Sequence, residues 1–496
     1  MSFRQLIIVL LATLASACTL GPDPERPTTA ADTASSFAHA ESASAEPINV
    51  SPWWQSFGDP ATVELVELAL RNNTDLQVAA ARVLEAEAML KQSRSTLWPQ
   101  LDYQVSGTRS KVSFVLPEVG RRNIYSTTYS SNIGVSYQVD LFGKLKRSRQ
   151  SAWASLLAAE AARETMQHAV IAGVVRSRVG IATAERALAI ARQIRTSWQQ
   201  TLATVERRYR SGLVSAVDVH LARENLAATQ ASEEVLEAAV EQARLSLDVV
   251  VGRRPGSGPV IPDTLADLPD LEPVPTGLPV GLLDRRPDLV EAEMQLAAAT
   301  YGIGVALADL YPNLSLTASG GTASDVVKDL VDADSIVYNV VGSIAGPLFS
   351  GGARKAEVRA ARARTEAAAA SYAGAVLHAL EEVEAALISD QSNRERLAHT
   401  SRRLAEAQAA DAIARERYQR GVETFLTVLE TERRLRAAEE AMITTKADLW
   451  NTRIDLFLAL GGDWSSETAD EATDRRAAHR SRSELQPSTT NKEVSP

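Results

Sequence analysis

One cysteine, Cys18, and six histidines, at 39, 168, 220, 378, 399 and 479, are the side chains of this 496-residue chain best suited to nucleophilic or metal chemistry. No two histidines stand in an HxxxH or HExxH pair, the spacing that places two imidazoles on one helix face for zinc. "LFGKLK" at 141–146 has no glycine five before Gly143 and no Ser or Thr after Lys144, so it is not a phosphate-cradling Walker A loop. "GIG" at 302–304 is a lone GxG in a helical stretch and reads as close helix packing, and GxSxG does not occur. Catalysis finds no foothold. The chain reads as non-enzymatic, with no metal and no bound cofactor.

The chemistry with support is acylation of Cys18. Met1–Arg4 carry one positive charge, Leu6–Leu14 form an apolar stretch, and Ala15, Ser16 and Ala17 precede the cysteine. Residues 1–17 thus resemble a signal peptide, and their apolar stretch is too short to span a bilayer. "LASAC" resembles a bacterial lipobox, with Ala15 where leucine is usual, which would make Cys18 a lipidated, palmitate-bearing N-terminus. A lone thiol in a secreted chain has no disulfide partner. The alternative is a plain signal peptide with an incidental cysteine. Thr19 instead of aspartate implies sorting to the outer membrane of a Gram-negative bacterium. No later segment approaches 18 uninterrupted apolar residues, so any bilayer crossing must be made by strands. A net charge of −10 and a pI of 5.4 argue against nucleic acid as a partner.

Strands are present. In 131–146, Ile133, Val135, Tyr137, Val139 and Leu141 alternate with Asn132, Gly134, Ser136, Gln138 and Asp140, and Leu101, Tyr103 and Val105 alternate with Asp102, Gln104 and Ser106. Each run has one apolar and one polar face. Yet no proline occurs from Glu118 to Arg254, and most of that run reads as continuous helix.

The chain also repeats itself. "TDLQVAAARVLEAEA" (74–88) aligns with "PDLVEAEMQLAAATY" (287–301), and Trp98-Pro99 recurs as Tyr311-Pro312, 213 positions later. "RRYRSGLVSAVDV" (207–219) matches "RERYQRGVETFLTV" (415–428), so Tyr209, Gly212 and Gly252 recur 209 positions later as Tyr418, Gly421 and Gly461.

The expected organisation is a signal peptide at 1–17 and an extended, lipid-anchored segment at 18–60, followed by two repeats at 61–252 and 288–464. A linker at 253–287 with eight of the 20 prolines joins them, and a tail at 465–496 reads as disordered. The first repeat comprises a helix at about 60–96, strands at about 98–110 and 128–142, and a helical hairpin at about 145–250. The second has strands at about 312–322 and 335–349 and a hairpin at about 352–460. Gly212 and Gly421 mark the hairpin turns. Ile190, Ile194, Trp198, Leu202, Val205 and Tyr209 step by four and three, the stripe of a coiled coil.

Four strands with a lipid-like face cannot close a barrel alone, and open sheet edges are not tolerated in hydrocarbon. Two chains would supply eight strands, which pack solid. Three would supply twelve and leave a lumen. A soluble β-layer under the helices is the alternative.

"WWQSFGDPATVELVELALRNNTDLQVA" (53–79), "RRPDLVEAEMQL" (285–296), "LYPNLSL" (310–316), "PLFSGG" (347–352) and "YQRGVETFLTVLETERRL" (418–435) resemble the outer membrane factor family, the TolC/OprM-like group, in its NodT-type lipoprotein branch. The resemblance covers about residues 18 to 464. It implies a mainly helical fold with membrane β-structure, in which a homotrimer forms a twelve-stranded β-barrel and a twelve-helix α-barrel. It also implies an exit duct for a tripartite efflux system, with a periplasmic adaptor (membrane fusion protein) and an inner-membrane pump as partners. Type I protein secretion is the alternative duct, and a periplasmic adaptor or structural lipoprotein a more distant one. Leu426 and Glu430, one helical turn apart, match the family's apolar and acidic rings at a closed periplasmic aperture. Asp218 resembles its acidic tip residue, and the second-repeat equivalent is Thr427. Three Glu430 carboxylates brought together are expected to raise one another's pKa. Trp98 and Tyr311 read as an aromatic belt or as junction packing.

Overall fold

The computed structural model of the chain describes residues 19–34, 36–40, 53–55, 59–116, 120–258 and 281–462. The expected signal segment, Cys18, most of the proline-rich linker and the tail at 465–496 lie outside the described residues. The chain divides into two compact units, 1–28 with 81–161 and 291–374, and 29–80 with 162–290 and 375–496, so each draws on both repeats. No described helix is long and apolar enough to cross a membrane.

The first unit is built on one antiparallel sheet of β1 (Gln100–Leu116), β2 (Gly120–Val139), β3 (Asn313–Ser324) and β4 (Ile336–Ala345), in that order. Leu101 faces Val135, which faces Ala318, which faces Val340; one step along, Tyr103, Ile133, Gly320 and Tyr338 are in line. This register puts Leu101, Tyr103, Val105, Ile133, Leu316, Val340 and Ile344 on one face, where all are solvent-exposed in the single chain. Ser, Thr, Asn and Gln dominate the other face. Among the described residues, β1 and β4 each have a partner on one side only.

The first strand pair is longer than its alternation suggested. Pairing continues to Leu116 opposite Gly120, whereas β2 meets β3 only from Tyr129 onward, so the distal half of β1–β2 is a two-stranded ribbon. The ladder is backbone chemistry and persists where the side chains no longer alternate.

"GIG" packs closely, as expected, and admits more than a helix: a Cβ on Gly304 would lie 2.7 Å from the Leu20 carbonyl oxygen and 2.8 Å from Cγ of Arg147, so the missing side chain makes room for the N-terminal segment and for the helix that begins at Lys144. Arg147 holds that segment, donating to the Leu20 and Gly21 carbonyls at 3.0 and 2.9 Å and pairing with Asp23 at 2.6 Å. Tyr311 stacks on Phe142 at 4.7 Å, while Trp98 is exposed.

The described helices are α1 (Ala30–Thr33), α2 (Pro60–Asn72), α3 (Thr74–Ser95), α4 (Lys144–Arg210), α5 (Ala216–Val250), α6 (Leu282–Arg285), α7 (Pro287–Ala308), α8 (Ala353–Gln419) and α9 (Phe425–Ala459). α4 and α8 have 67 residues each, which at 1.5 Å per residue is about 100 Å. The core of the second unit packs Trp53, Val66, Ile171, Val174, Leu247, Trp450 and Ile454, with Trp53 stacked on Phe457 at 5.3 Å.

The single helix expected at 60–96 is two helices. Asn73 takes an extended backbone, its Oδ1 accepts from the Asp75 and Leu76 amides, and its Nδ2 donates to the Val250 carbonyl at 2.8 Å. That carbonyl ends α5 and has no helical donor of its own. The repeat reproduces the joint with different chemistry: Arg286, between α6 and α7, donates to the Ala459 carbonyl at 3.1 Å. Gly252 and Gly461, both at positive φ, complete the two joints, and a Cβ on Gly252 would lie 2.3 Å from the Asn72 carbonyl oxygen.

Candidate functional site at the hairpin turns

Both hairpin turns belong to the second unit and use the same backbone device. Gly212 and Gly421 have φ of 70° and 78°. The Leu213 amide donates to the Arg208 carbonyl at 2.9 Å and that of Val422 to Arg417 at 3.1 Å, while Gly212 and Gly421 donate to Tyr209 and Tyr418. This is a Schellman closure, which needs a residue free to adopt the left-handed conformation.

Beneath the turns Trp198, Val205, Val219, Ala222, Tyr418, Phe425 and Val428 form one apolar cluster drawn from all four long helices. The stripe on α4 faces this cluster through Trp198 and Val205. Tyr209, expected to end the stripe, is 48% exposed instead, and its repeat partner Tyr418 is 5% exposed. Arg208 lies over the Tyr418 ring, 4.6 Å from its centroid, and donates to the Tyr418 carbonyl.

α9 buries Phe425 and Val428 and leaves Leu426 71% exposed, so Leu426 is outside the hairpin's own core. Glu430, one turn on, accepts from Arg433 at 3.0 and 2.9 Å and from Arg434 at 2.7 Å. Hydrogen bonds from Arg433 and then Arg434 pull its carboxyl down to about 2. Within one chain the neighbours of Glu430 act in the opposite sense to carboxylates of other copies. The pull comes from two guanidiniums on the same helix, three and four residues away.

Asp218 has a local partner. It is the third residue of α5, where its carboxylate accepts from the Ser215 amide at 3.2 Å and Ser215 Oγ accepts from Val217, forming a capping box. Thr427, its counterpart, has no carboxylate, and Glu423 substitutes from the other side. Glu423 accepts from the Thr424 amide at 3.1 Å and from the Thr427 hydroxyl at 3.0 Å, and these bonds lower its pKa.

Sequence reading missed the layer just below. Glu432 is 4% exposed on α9, with Arg415 at 3.2 Å and Arg436 at 3.4 Å. Asp411 pairs with Arg415 at 2.6 Å, and Arg415 also donates to Ser197 and Thr201 of α4 at 2.8 and 3.1 Å. Burial pushes Glu432 up to about 7, outweighing the attraction of Arg415 and Arg436. The available signal was spacing: 425, 428 and 432 step by three and four, which places a carboxylate on the stripe that buries Phe425 and Val428.

Among the described histidines, His39 contacts Glu384 at 2.8 Å and His378 contacts Glu381 at 3.2 Å. His168 is buried, and desolvation lowers its pKa to about 3 despite the opposing Asp288 charge.

An antiparallel sheet with one apolar face and two open edges, carried with two long antiparallel helix pairs, defines a subunit of an outer-membrane duct. The chain belongs to the outer membrane efflux protein family, whose description matches residues 65–253 and 278–462. It is similar to the solvent efflux pump outer membrane protein SrpC of Pseudomonas putida, 31% identical over 414 residues that cover 82% of this chain and 87% of SrpC. It is likewise similar to the pyoverdine export outer membrane protein OpmQ of Pseudomonas aeruginosa, at 30% identity with 94% and 98% covered. The solved outer-membrane channel OprN superposes with a TM-score of 0.82 at 32% identity, covering 90% of this chain and all of OprN. The protein is an outer-membrane efflux channel component.

Proposed function

We propose that three copies of the chain close their sheets into one twelve-stranded barrel and serve as the exit duct of a tripartite pump for small molecules. The observation that carries this is the four-stranded sheet whose apolar face is exposed and whose outer strands each lack a second neighbour among the described residues. Hydrocarbon admits strands only in closed barrels. In this reading the apolar face meets lipid and the Ser-, Thr- and Asn-rich face lines the lumen. The duct is a conduit and not an enzyme, and it needs no cofactor beyond lipid attached at Cys18. A periplasmic adaptor and an inner-membrane pump are its partners. The relatives are named for different cargoes, solvents and pyoverdine, which favours a small-molecule duct with little selectivity of its own.

The aperture is assigned to Leu426 and Glu430, with Asp218 and Thr427 beside it and the turns at Gly212 and Gly421 forming its rim. Threefold repetition would set three exposed Leu426 side chains against one another as a dewetting constriction. Glu430 with Arg433 and Arg434 would form a ring of mixed charge.

Conductance of the purified protein in planar bilayers tests the assignment, with native mass as the control for assembly. The expected mass is three times that of a mature chain beginning at acylated Cys18. Leu426→Ala is expected to raise closed-state conductance, and Glu430→Gln to reduce cation preference by leaving Arg433 and Arg434 uncompensated. A monomeric mass would overturn the barrel. Unchanged conductance and selectivity in both variants would place the aperture elsewhere.

A further inference from the structure

The ribbon formed by the distal halves of β1 and β2 is a strongly basic stretch of an acidic chain. Between Ser106 and Tyr129 the sequence carries Arg109, Lys111, Arg121 and Arg122 against a single acid, Glu118, while the whole chain is at −10. The strand register determines which way three of these cations face. Residues 101, 103, 105, 107, 109 and 111 share a face of β1. Thr127 pairs with Arg109, Tyr125 with Lys111, and Arg121 with Val115. Arg109, Lys111 and Arg121 therefore extend the same face that carries Leu101, Tyr103, Val105, Ile133 and Val135.

Along that face an apolar band gives way to interleaved tyrosines and cations. Its apolar band runs on β2 from Val139 to about Tyr129, which at ~3.3 Å per residue is about 35 Å along the strand. With the usual tilt of barrel strands, this matches the apolar belt of about 25 Å in outer-membrane barrels. Beyond it Tyr129 lies opposite Gly107, Arg109 opposite Thr127 and Tyr125 opposite Lys111, with Arg121 furthest out, so tyrosines and cations interleave, and Lys111 Nζ is held 5.4 Å from the Tyr125 ring centroid. All three cationic side chains are exposed, and none forms an ion pair among the described residues. The helices join the sheet at Gln100, Val139, Asn313 and Ala345, so the ribbon lies at its opposite end, which in the barrel reading is the outer side of the membrane.

We propose that Arg109, Lys111 and Arg121 form a docking surface for the phosphate-bearing glycolipid headgroups of the outer leaflet. This rests on the barrel reading above. Guanidinium and ammonium groups interleaved with tyrosines at the end of an apolar band sit where lipid phosphates sit, and Arg presents a fork that matches two phosphate oxygens. At about 1 kcal/mol per basic side chain at an anionic surface, removing three weakens the association on the order of a hundredfold. The other candidate occupant is the acidic β3–β4 connection of a neighbouring copy, with Asp325, Asp329, Asp332 and Asp334. That segment contacts its own β2 and β3, and no ion pair reaches the ribbon from it among the described residues.

The test compares the full-length wild type with the Arg109→Gln/Lys111→Gln/Arg121→Gln variant, both purified from outer membranes. Each is titrated with bisphosphorylated lipid A, with its dephosphorylated form and with inorganic phosphate, and bound lipid is read by native mass spectrometry. The wild type is expected to prefer the bisphosphorylated lipid, the variant to bind it about a hundredfold more weakly with its trimer mass intact, and inorganic phosphate not to displace it. Equal binding by the two proteins, equal binding of the dephosphorylated lipid, or full displacement by inorganic phosphate would overturn the proposal. So would a variant that loses its trimer while its free chain still binds lipid, which would assign the cations to the neighbouring copy. A wild type that is neither trimeric nor in the outer membrane breaks the barrel reading itself. A trimeric wild type in that membrane without the lipid preference breaks this inference alone.

Discussion

At Gly212 and at Gly421 the backbone reverses through the same two hydrogen bonds, yet the side chains around the two turns are tied in opposite directions. The first turn is secured to itself: Ser215 and Asp218 cap α5, and Arg223 reaches back to Glu206 at 2.7 Å within the same hairpin. Its tyrosine, Tyr209, points to solvent. The second turn is secured to the first: Tyr418 lies under Arg208, Phe425 packs edge-on to Trp198 at 6.4 Å, and Arg415 bonds Ser197 and Thr201. The position equivalent to Phe425 in the first repeat is Ala216. Duplication supplied one backbone turn twice, and divergence of a few side chains made one turn a free-standing support and the other a piece clamped onto it.

The largest test of that asymmetry is Phe425→Ala. Phe425 is 3% exposed at the centre of the shared cluster, and a buried Phe→Ala change costs about 3–5 kcal/mol. Hydrogen exchange is expected to rise by orders of magnitude in the first turns of α9 and much less in those of α5. Equal acceleration on both sides would mean that the two turns open as one unit. A smaller effect separates the caps. Asp218→Ala removes half of a capping box, worth about 1 kcal/mol, and loosens 215–219, whereas Thr427→Ala leaves the Thr424 cap and the Glu423–Thr424 bond in place. Thermal melts should rank Asp218→Ala below Thr427→Ala, and the reverse order would show that Glu423 depends on Thr427.

The smallest effect is one of slope. Because Glu432 is raised to about 7 in the folded chain, the fold binds more protons than the unfolded chain between about 4.5 and 7. Its contribution to stability is therefore present below about 4.5 and is lost as pH rises through 7. Glu432→Gln is expected to flatten melting temperature against pH in that window. His168, lowered from 6.5 to about 3, acts oppositely, since its contribution is present above 6.5 and lost as pH falls. An unchanged slope in Glu432→Gln would mean that Arg415 and Arg436 keep the carboxylate ionised.

Much of this architecture was legible because it is periodic. Alternation by two marked the strands, steps of three and four marked the hairpins, and glycine marked their turns. The joint at Asn73 was not legible, because what breaks the helix is an α5 carbonyl 177 positions away that needs a donor. The β1–β2 ribbon was underestimated because its backbone ladder outlasts its polarity pattern. At the turns, Leu426 and Glu430 could be placed on one face by counting. That Arg433 and Arg434 hold Glu430 depends on rotamers, and that Tyr209 and Tyr418 part company depends on Arg208, which lies in the other hairpin from Tyr418. Counting along one helix registers neither.

The two unpaired strand edges also bear on how the molecule is made. A sheet open at β1 and β4 exposes two rows of unsatisfied amides and carbonyls. A lone chain therefore crosses the periplasm with a sheet that can neither enter lipid nor remain safely in water. Entry into the membrane and meeting other copies become a single kinetic event, steeply dependent on chain concentration. The slow step of biogenesis is then a collision between chains, and an escort that shields strand edges governs yield more than the folding rate of any one chain.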